Sequence, residues 1–448
     1  AEGIGGDIIV NTGSLTLADS QGTRFSTSVG NRAQGTGGNI EINADTVTIN
    51  SGSLITQLSR DAEGQAGNIE IKANSLSLNS PNLKEDSRAA TRSVIQTSVV
   101  RGAKGDGGNI DIETNSLSLT GIAFLVSALR REAQGNAGNI TIDTNSLSLD
   151  QDSAIRSRTF EMSQGNAGAI EINANTVEIN SGAKIESTTE GEGDAGSIEI
   201  NASDSVLISG FSDLLLLRRI DRNEPDEVTE GGSSSLLTSV KEMASGQGGD
   251  ITISTPDLKI LDGGIISAEV EPRAQGQGGN IFINADQLEI GDGGQIIAAG
   301  LGIGNAGNIN LNIADSIEIF GSDPTFSERF KAEIRTRDSE EIESIGRTTE
   351  QLGRLLFTQV GIGEESQISG IYANSESQGS GGIVNIQTGS LTLEDSGRIT
   401  TETNAGEGGN ITLEIDDTLS MRNNALISAE ASNEASGGNV NIDADFII

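Results

Sequence analysis

The side chains able to do chemistry in this sequence are nearly all carboxylates. Asp and Glu number 65 against 28 Lys and Arg, and the sequence has no His and no Cys. Lack of His removes the usual general base and the commonest metal ligand. Lack of Cys removes disulfides, thiolate nucleophiles and thiolate metal sites. Two kinds of carboxylate chemistry remain. One is a pair of acids set across a glycosidic bond, and the other is an oxygen cluster around a hard cation such as Ca2+. The best-placed set is Glu41, Glu70 and Asp111, which hold the same place in successive repeats, followed later by Glu171 and Glu199. Carboxylates stacked about 5 Å apart repel, and either raise one another's pKa or recruit a cation. The expectation is a solvated acidic stripe, with a weak Ca2+ site at Glu41, Glu70 and Asp111 as the alternative and no other cofactor.

Positioning such a column requires a repeating scaffold, and the sequence writes one out. "GTGGNIEINADTVTINSGSLI" at Gly35 returns as "GQAGNIEIKANSLSLNS" at Gly64, "GNAGNITIDTNSLSLD" at Gly135 and "GQGGNIFINADQLEIGDGGQII" at Gly276. The residue after the small pair (GG, AG or a variant) anchors thirteen copies, from Asp7 to Asn439, most of them 27 to 32 residues apart. Inside each copy the apolar residues alternate, as in Ile40/Ile42 and Val47/Ile49, with a third site at Ile55. That period of two marks strands with one buried face, and turns rich in Gly, Asn, Asp and Ser separate them. One unit is too small to bury its own apolar face. Stacking each strand on its equivalent in the next unit solves this, and makes a parallel β-helix. The expected fold is therefore all-β: a right-handed parallel β-helix of about 13 coils of about 29 residues, three strands each. The hand comes from the general crossover preference. At about 4.8 Å per coil, residues 1–448 form a single rod roughly 60 Å long.

Eight of the thirteen anchors are Asn: Asn39, Asn68, Asn109, Asn139, Asn280, Asn308, Asn410 and Asn439. Stacked at one corner, their amides are expected to bond to the coils above and below, as in the amide ladders of stacked sheets. A ligand-binding row is the alternative. The "GxGxxG"-like strings are not phosphate loops, because no helix follows the strand. The Gly-Gly-x-Gly-x-Asp nonapeptides of calcium-binding repeats are absent. An ice-binding face needs regular outward Thr pairs, whereas the outward residues read as a mixture of Glu, Asn, Thr and Lys.

Three copies are enlarged, all between the second and third strands: at 80–93, 211–235 and 320–366. Insertions confined to one corner project from one side of the rod, often the binding side. In the largest, Asp323 is placed to cap a helix that starts at Pro324. Phe326, Phe330 and Ile334 then recur every four residues, which predicts a broken helix or helical hairpin over about 324–357. The inserts also concentrate base, with 12 of the 28 Lys and Arg. Either they pack on the coils and pair with carboxylates, or they form a contact surface. For the latter the candidates are Leu214, Leu215, Leu216, Leu217, Arg218 and Arg219, with Phe326 and Phe330, since four consecutive Leu in a loop must be covered.

A formal charge of −37 opposes binding to nucleic acid or to an anionic membrane. No apolar run approaches the roughly 20 residues that span a bilayer, and no leader resembling a signal peptide is present. The sequence starts near a repeat junction and stops inside a repeat, so it reads as a piece of a longer protein.

The unit "GxGGNIxINADxLxLxxGSxIxxxxxGxGxAG" resembles the repeats of large filamentous-haemagglutinin-like exoproteins, especially those common in cyanobacteria. The resemblance covers almost everything outside the inserts. It implies a secreted β-helical passenger of the two-partner secretion type, with a cell-surface or adhesive role. An "NPNG"-type secretion motif is absent, so the export route is implied by the resemblance alone. The functional expectation is a non-enzymatic structural or adhesive rod, whose partners are a cell surface, neighbouring copies or glycans. The alternative is a polysaccharide-binding or polysaccharide-degrading β-helix. An enzyme predicts converging Asp/Glu and Arg/Lys in a groove beside an insert, and a rod predicts no such convergence.

Overall fold

The computed structural model describes residues 2–18, 23–80, 92–212, 232–326, 367–376, 379–432 and 435–448. It is an all-β parallel solenoid. A 13-stranded parallel sheet runs the length of the molecule, and a 12-stranded parallel sheet runs beside it. Equivalent residues stack in register: Ile40 on Ile69, Ile69 on Ile110, Ile110 on Ile140. Among the described residues no helix is long and apolar enough to cross a membrane.

The strands are shared out differently from the three per coil read in the sequence. The first two apolar pairs lie on one continuous strand, Ile40–Asn50 in the second coil. Ile40 and Ile42 are buried, Asp45 and Thr46 both face solvent, and Val47 and Ile49 are buried again. Two outward residues in a row reverse the alternation, so the strand turns there and the long sheet folds into two arms. The third apolar site supplies the second sheet, with strands such as Ser53–Leu58, but in that coil the core residue is Leu54, while Ile55 faces outward beside Gln96. The remaining corner carries three-residue strands in the first four coils, among them Glu63–Gln65 and Lys104–Asp106. Single bridges continue that corner, from Lys104–Gln134 to Gln275–Ile303.

Side chains from both arms and the second sheet meet in one apolar column, continuous from Leu17 to Leu419. Most of these Ile, Leu and Val side chains are fully buried, and each contributes roughly 1.5–3 kcal/mol. A thinner column fills the third corner, where Leu58, Val99 and Leu129 pack on Ala62, Ala103 and Ala133. Gly64 shows why that corner is glycine-rich. Its φ is +136°, and a Cβ there would lie 1.7 Å from the Gly35 carbonyl oxygen of the preceding coil. Only a residue without a side chain lets the coils close at that point.

All three inserts leave and rejoin between a long-sheet strand and a second-sheet strand. Each returns onto a buried Ser that staples the corner. Ser93 Oγ donates to the Asn79 carbonyl at 2.6 Å and accepts the Ser51 N–H at 2.9 Å. Ser234 Oγ donates to the Ser209 carbonyl and accepts the Gly182 N–H. Ser369 Oγ accepts the Gly293 N–H. Asp323 ends the short strand Ser322–Asp323, and its carboxylate accepts the N–H and hydroxyl of Thr325. The helix expected over about 324–357 falls almost wholly outside the described residues, as does most of the first two inserts.

Candidate functional site

Glu41, Glu70 and Asp111 stack in register on the outward face of the first arm. Thr141 replaces a carboxylate in the next coil, and Glu171 follows. Burial and then the charge of Glu70 push Asp111 above the usual carboxylate range, against a hydrogen bond from Thr141. The Lys72 ammonium stands 3.0 Å from Glu70 Oε1 and 3.8 Å from Glu113 Oε2, so a side chain supplies positive charge beside the column. No group of three or more carboxylates among the described residues is arranged to hold a metal ion.

The anchor asparagines form a ladder of a particular kind. Each Oδ1 accepts the backbone N–H of the anchor one coil on. Asn39 accepts from Asn68, Asn68 from Asn109, and Asn109 from Asn139, all at 2.8–2.9 Å. The row lapses after Ala169, which has no acceptor, and resumes at Asp250, Asn280 and Asn308. Asn410 closes it by accepting from Asn439. These bonds fix the stacking of the strand starts, since each satisfies an N–H that the ladder of its own sheet does not. A second row, three residues earlier, escaped the sequence reading: Asp106, Asn136, Asn166 and Asp194 accept in the same way. Its signal was the Asn or Asp inside "GNAG" and "GDGG".

Of the expected contact surface, Leu214, Leu215, Leu216, Leu217, Arg218, Arg219 and Phe330 lie outside the described residues. Phe326 is described and is buried, 2% exposed, so it is not available as a contact residue.

The strongest concentration of charged groups lies where no single motif announced it, on the outward face of the second sheet. That face is buried, unlike the outward faces of the long sheet: Ala154, Thr188, Leu237, Ser267 and Glu269 all have less than 9% exposure. Arg156 and Glu186 are neighbours across adjacent strands. Their Nε and Oε1 atoms are 2.9 Å apart, with Arg158 3.8 Å from the same oxygen. The Arg158 guanidinium covers the Phe160 ring at 4.2 Å, and Arg156 covers Phe124 at 5.0 Å. Two coils on, Lys241 pairs with Glu271 at 2.8 Å, and Glu271 also accepts the Glu242 N–H.

The electrostatics of this patch are divided. Burial is the largest influence on Glu186 and opposes its charge, but Arg156, Arg158, Lys184 and Lys241 together hold it at about 2. Glu269 goes the other way, well above the usual range, because it is buried and faces Glu271. Ser267 offers Glu269 a hydrogen bond that opposes this rise, while its Oε2 and the buried hydroxyl of Ser239 on the neighbouring strand have no hydrogen-bond partner. Asp152 is pushed up to about 6 by burial, against a hydrogen bond from Ser212, which lies at the root of the second insert. Chemically the patch pairs an ionised glutamate with arginines and places a protonated one nearby. Such divergence between two carboxyls is a mark of acid–base sites. Here, though, the groups are buried and mostly charge-paired rather than set in an open groove.

The chain matches no family model, and neither curated proteins nor solved structures give a match. Function must therefore be argued from the geometry.

Proposed function

We propose that this chain is a rod-forming segment of a secreted or cell-surface exoprotein of the filamentous-haemagglutinin-like kind, with a structural and adhesive role. The observation that carries the reading is the unbroken apolar column beneath a 13-stranded sheet, a construction that makes length and stiffness. In-register stacking sets equivalent outward positions in rows along the axis, so the surface presents rows rather than a single pocket. Such rows suit low-affinity contacts made many times over, to glycans, to a cell surface or to neighbouring copies.

The test is adhesion: beads coated with residues 1–448 are scored on surfaces bearing defined glycans, with particle dimensions measured by electron microscopy. Adhesive rods about 60 Å long are expected. Compact particles without adhesion contradict the reading.

A second reading, a polysaccharide-degrading solenoid, has one observation in its favour. Carboxylates and arginines do converge beside the second insert, as an enzyme would require. Turnover of any bound glycan, lost in Glu186→Gln and Glu269→Gln, would decide for it.

A further inference from the structure

The bend that divides the long sheet leaves a trough on the outside of the rod. It runs through the first six coils, from Thr12 to Asn175, with a volume of about 830 Å3. A second trough of about 690 Å3 continues it from Asn173 to Ala314. The bend residues Asp45, Asn74, Asn115 and Asn145 stand in line along its floor. Each donates its amide to the one before: Asn74 to Asp45 at 3.4 Å, Asn115 to Asn74 at 3.5 Å, and Asn145 to Asn115 at 3.4 Å. These are long bonds at the limit of the range. A side-chain amide has two N–H groups and two acceptor positions. The coil-to-coil bond uses one of each, and exposed side chains have the others free for a ligand.

Next along the strand, on the second arm, the first two outward residues of each of the first five coils are hydroxyls. Ser14 and Thr16 stack on Thr46 and Thr48, then on Ser75 and Ser77, Ser116 and Ser118, and Ser146 and Ser148. Beyond them the arm ends in Asn50, Asn79, Thr120 and Asp150, and in the sixth coil Glu178 follows Ser148. Side-chain acceptors and donors thus recur every 4.8 Å or so along the channel, and none of these second-arm hydroxyls is among the residues lining it.

We propose that this trough binds a neutral, linear polysaccharide lying along the rod axis, with the Asn74, Asn115 and Asn145 amides reading its hydroxyls. The trough has the shape of an extended polymer, and its groups match a partner rich in hydroxyls. Acidic polymers are disfavoured because Asp45, Glu113 and Asp143 outnumber Lys72 along the same channel. No aromatic side chain lines it, so each contact is weak and affinity comes from repetition. The proposal rests on the adhesive reading and names its ligand and site.

Residues 1–448 are tested by co-sedimentation with cellulose and chitin, and by competition with alginate as the acidic polymer. The variants are Asn74→Ala/Asn115→Ala/Asn145→Ala, which removes the amides, and Asn115→Lys, which obstructs the channel. Circular dichroism and thermal melting confirm that both are folded. The expected result is binding to a neutral polymer, weakened roughly tenfold or more in both variants, as for three lost amide hydrogen bonds. Undiminished binding by folded variants overturns the trough as the site while leaving an adhesive rod intact. A preference for alginate overturns the ligand class. Absence of binding to every polymer overturns the proposal, while adhesion to cell surfaces in the same preparation scores the adhesive reading separately.

Discussion

Thr56 donates its buried hydroxyl to the carbonyl of Gly67, 2.5 Å away across the interior of the solenoid. The same bond recurs from Thr27 to Gly38, Thr238 to Gly249 and Thr401 to Gly409. It explains why the inward face of the second sheet alternates an aliphatic residue with Ser or Thr. The small-residue pair turns the chain so tightly that its carbonyl points inward, and an inward hydroxyl satisfies it. Thr56→Val keeps the shape and removes the donor. A loss of about 1–3 kcal/mol is expected, the cost of a buried unpaired carbonyl. Thr56→Ser should retain most of the stability. Urea denaturation of the two variants checks this, and equal midpoints would refute the role given to the hydroxyl.

Glu186 stabilises the second-sheet face only while ionised. Its folded pKa of about 2 lies below the ordinary value near 4.3. Its contribution is therefore fully present above that ordinary value and is lost as pH falls through it toward 2. The difference corresponds to about 3 kcal/mol. Glu186→Gln should cost a comparable amount at pH 7, since Arg156 and Arg158 lose their partner in a buried setting. The gap between the melting temperatures of wild type and variant should narrow below about pH 4 and close only as pH falls to about 2.

Glu269 carries the opposite sign. Its folded pKa is raised by burial and by Glu271, so the folded state holds a proton that the unfolded state releases. The penalty is absent below the ordinary carboxyl value, grows as pH rises above it, and levels off only past the folded pKa. Glu269→Gln should therefore be neutral near pH 4 and stabilising at pH 8. A destabilised variant at pH 8 would mean that the carboxylate is ionised and paired in the fold.

Gly64→Ala tests the tightest contact between coils. A methyl group 1.7 Å from the Gly35 oxygen cannot be relieved by a rotamer change, because both partners are backbone. Local separation of the second and third coils is expected, with new proteolytic cleavage near residues 60–67 and a retained remainder. An unaltered digestion pattern would contradict the geometry.

Much of this architecture was legible in the sequence, because a stacked fold writes each contact many times over. Ile40, Ile69, Ile110 and Ile140 announce their column by position alone, and Asn39, Asn68 and Asn109 do the same for the ladder. The bend at Asp45 was harder to see, since "NADTV" keeps every residue small or polar and the phase change is a single residue. The charged patch was illegible for a different reason. Arg156, Glu186, Lys241 and Glu269 each occur in only one coil, so periodicity says nothing about them. They are neighbours only because strands 30 or more residues apart lie side by side. The discriminator offered by the sequence, convergence beside an insert, found such a convergence but closed and paired, which is why the rod reading is kept.

The central claim is that equivalent positions climb one axis in equal steps, whatever length of chain lies between them. The natural lack of Cys allows clean double spin labelling of one outward column: Thr48 with Ser148, Lys259 and Thr392 in turn, which are three, six and nine coils away. The account predicts mean separations near 14, 29 and 43 Å, rising about 4.8 Å per coil. The insert between residues 320 and 366 should add nothing beyond its one coil. Distances that follow sequence separation, or that cluster at values set by separate lobes, would contradict it.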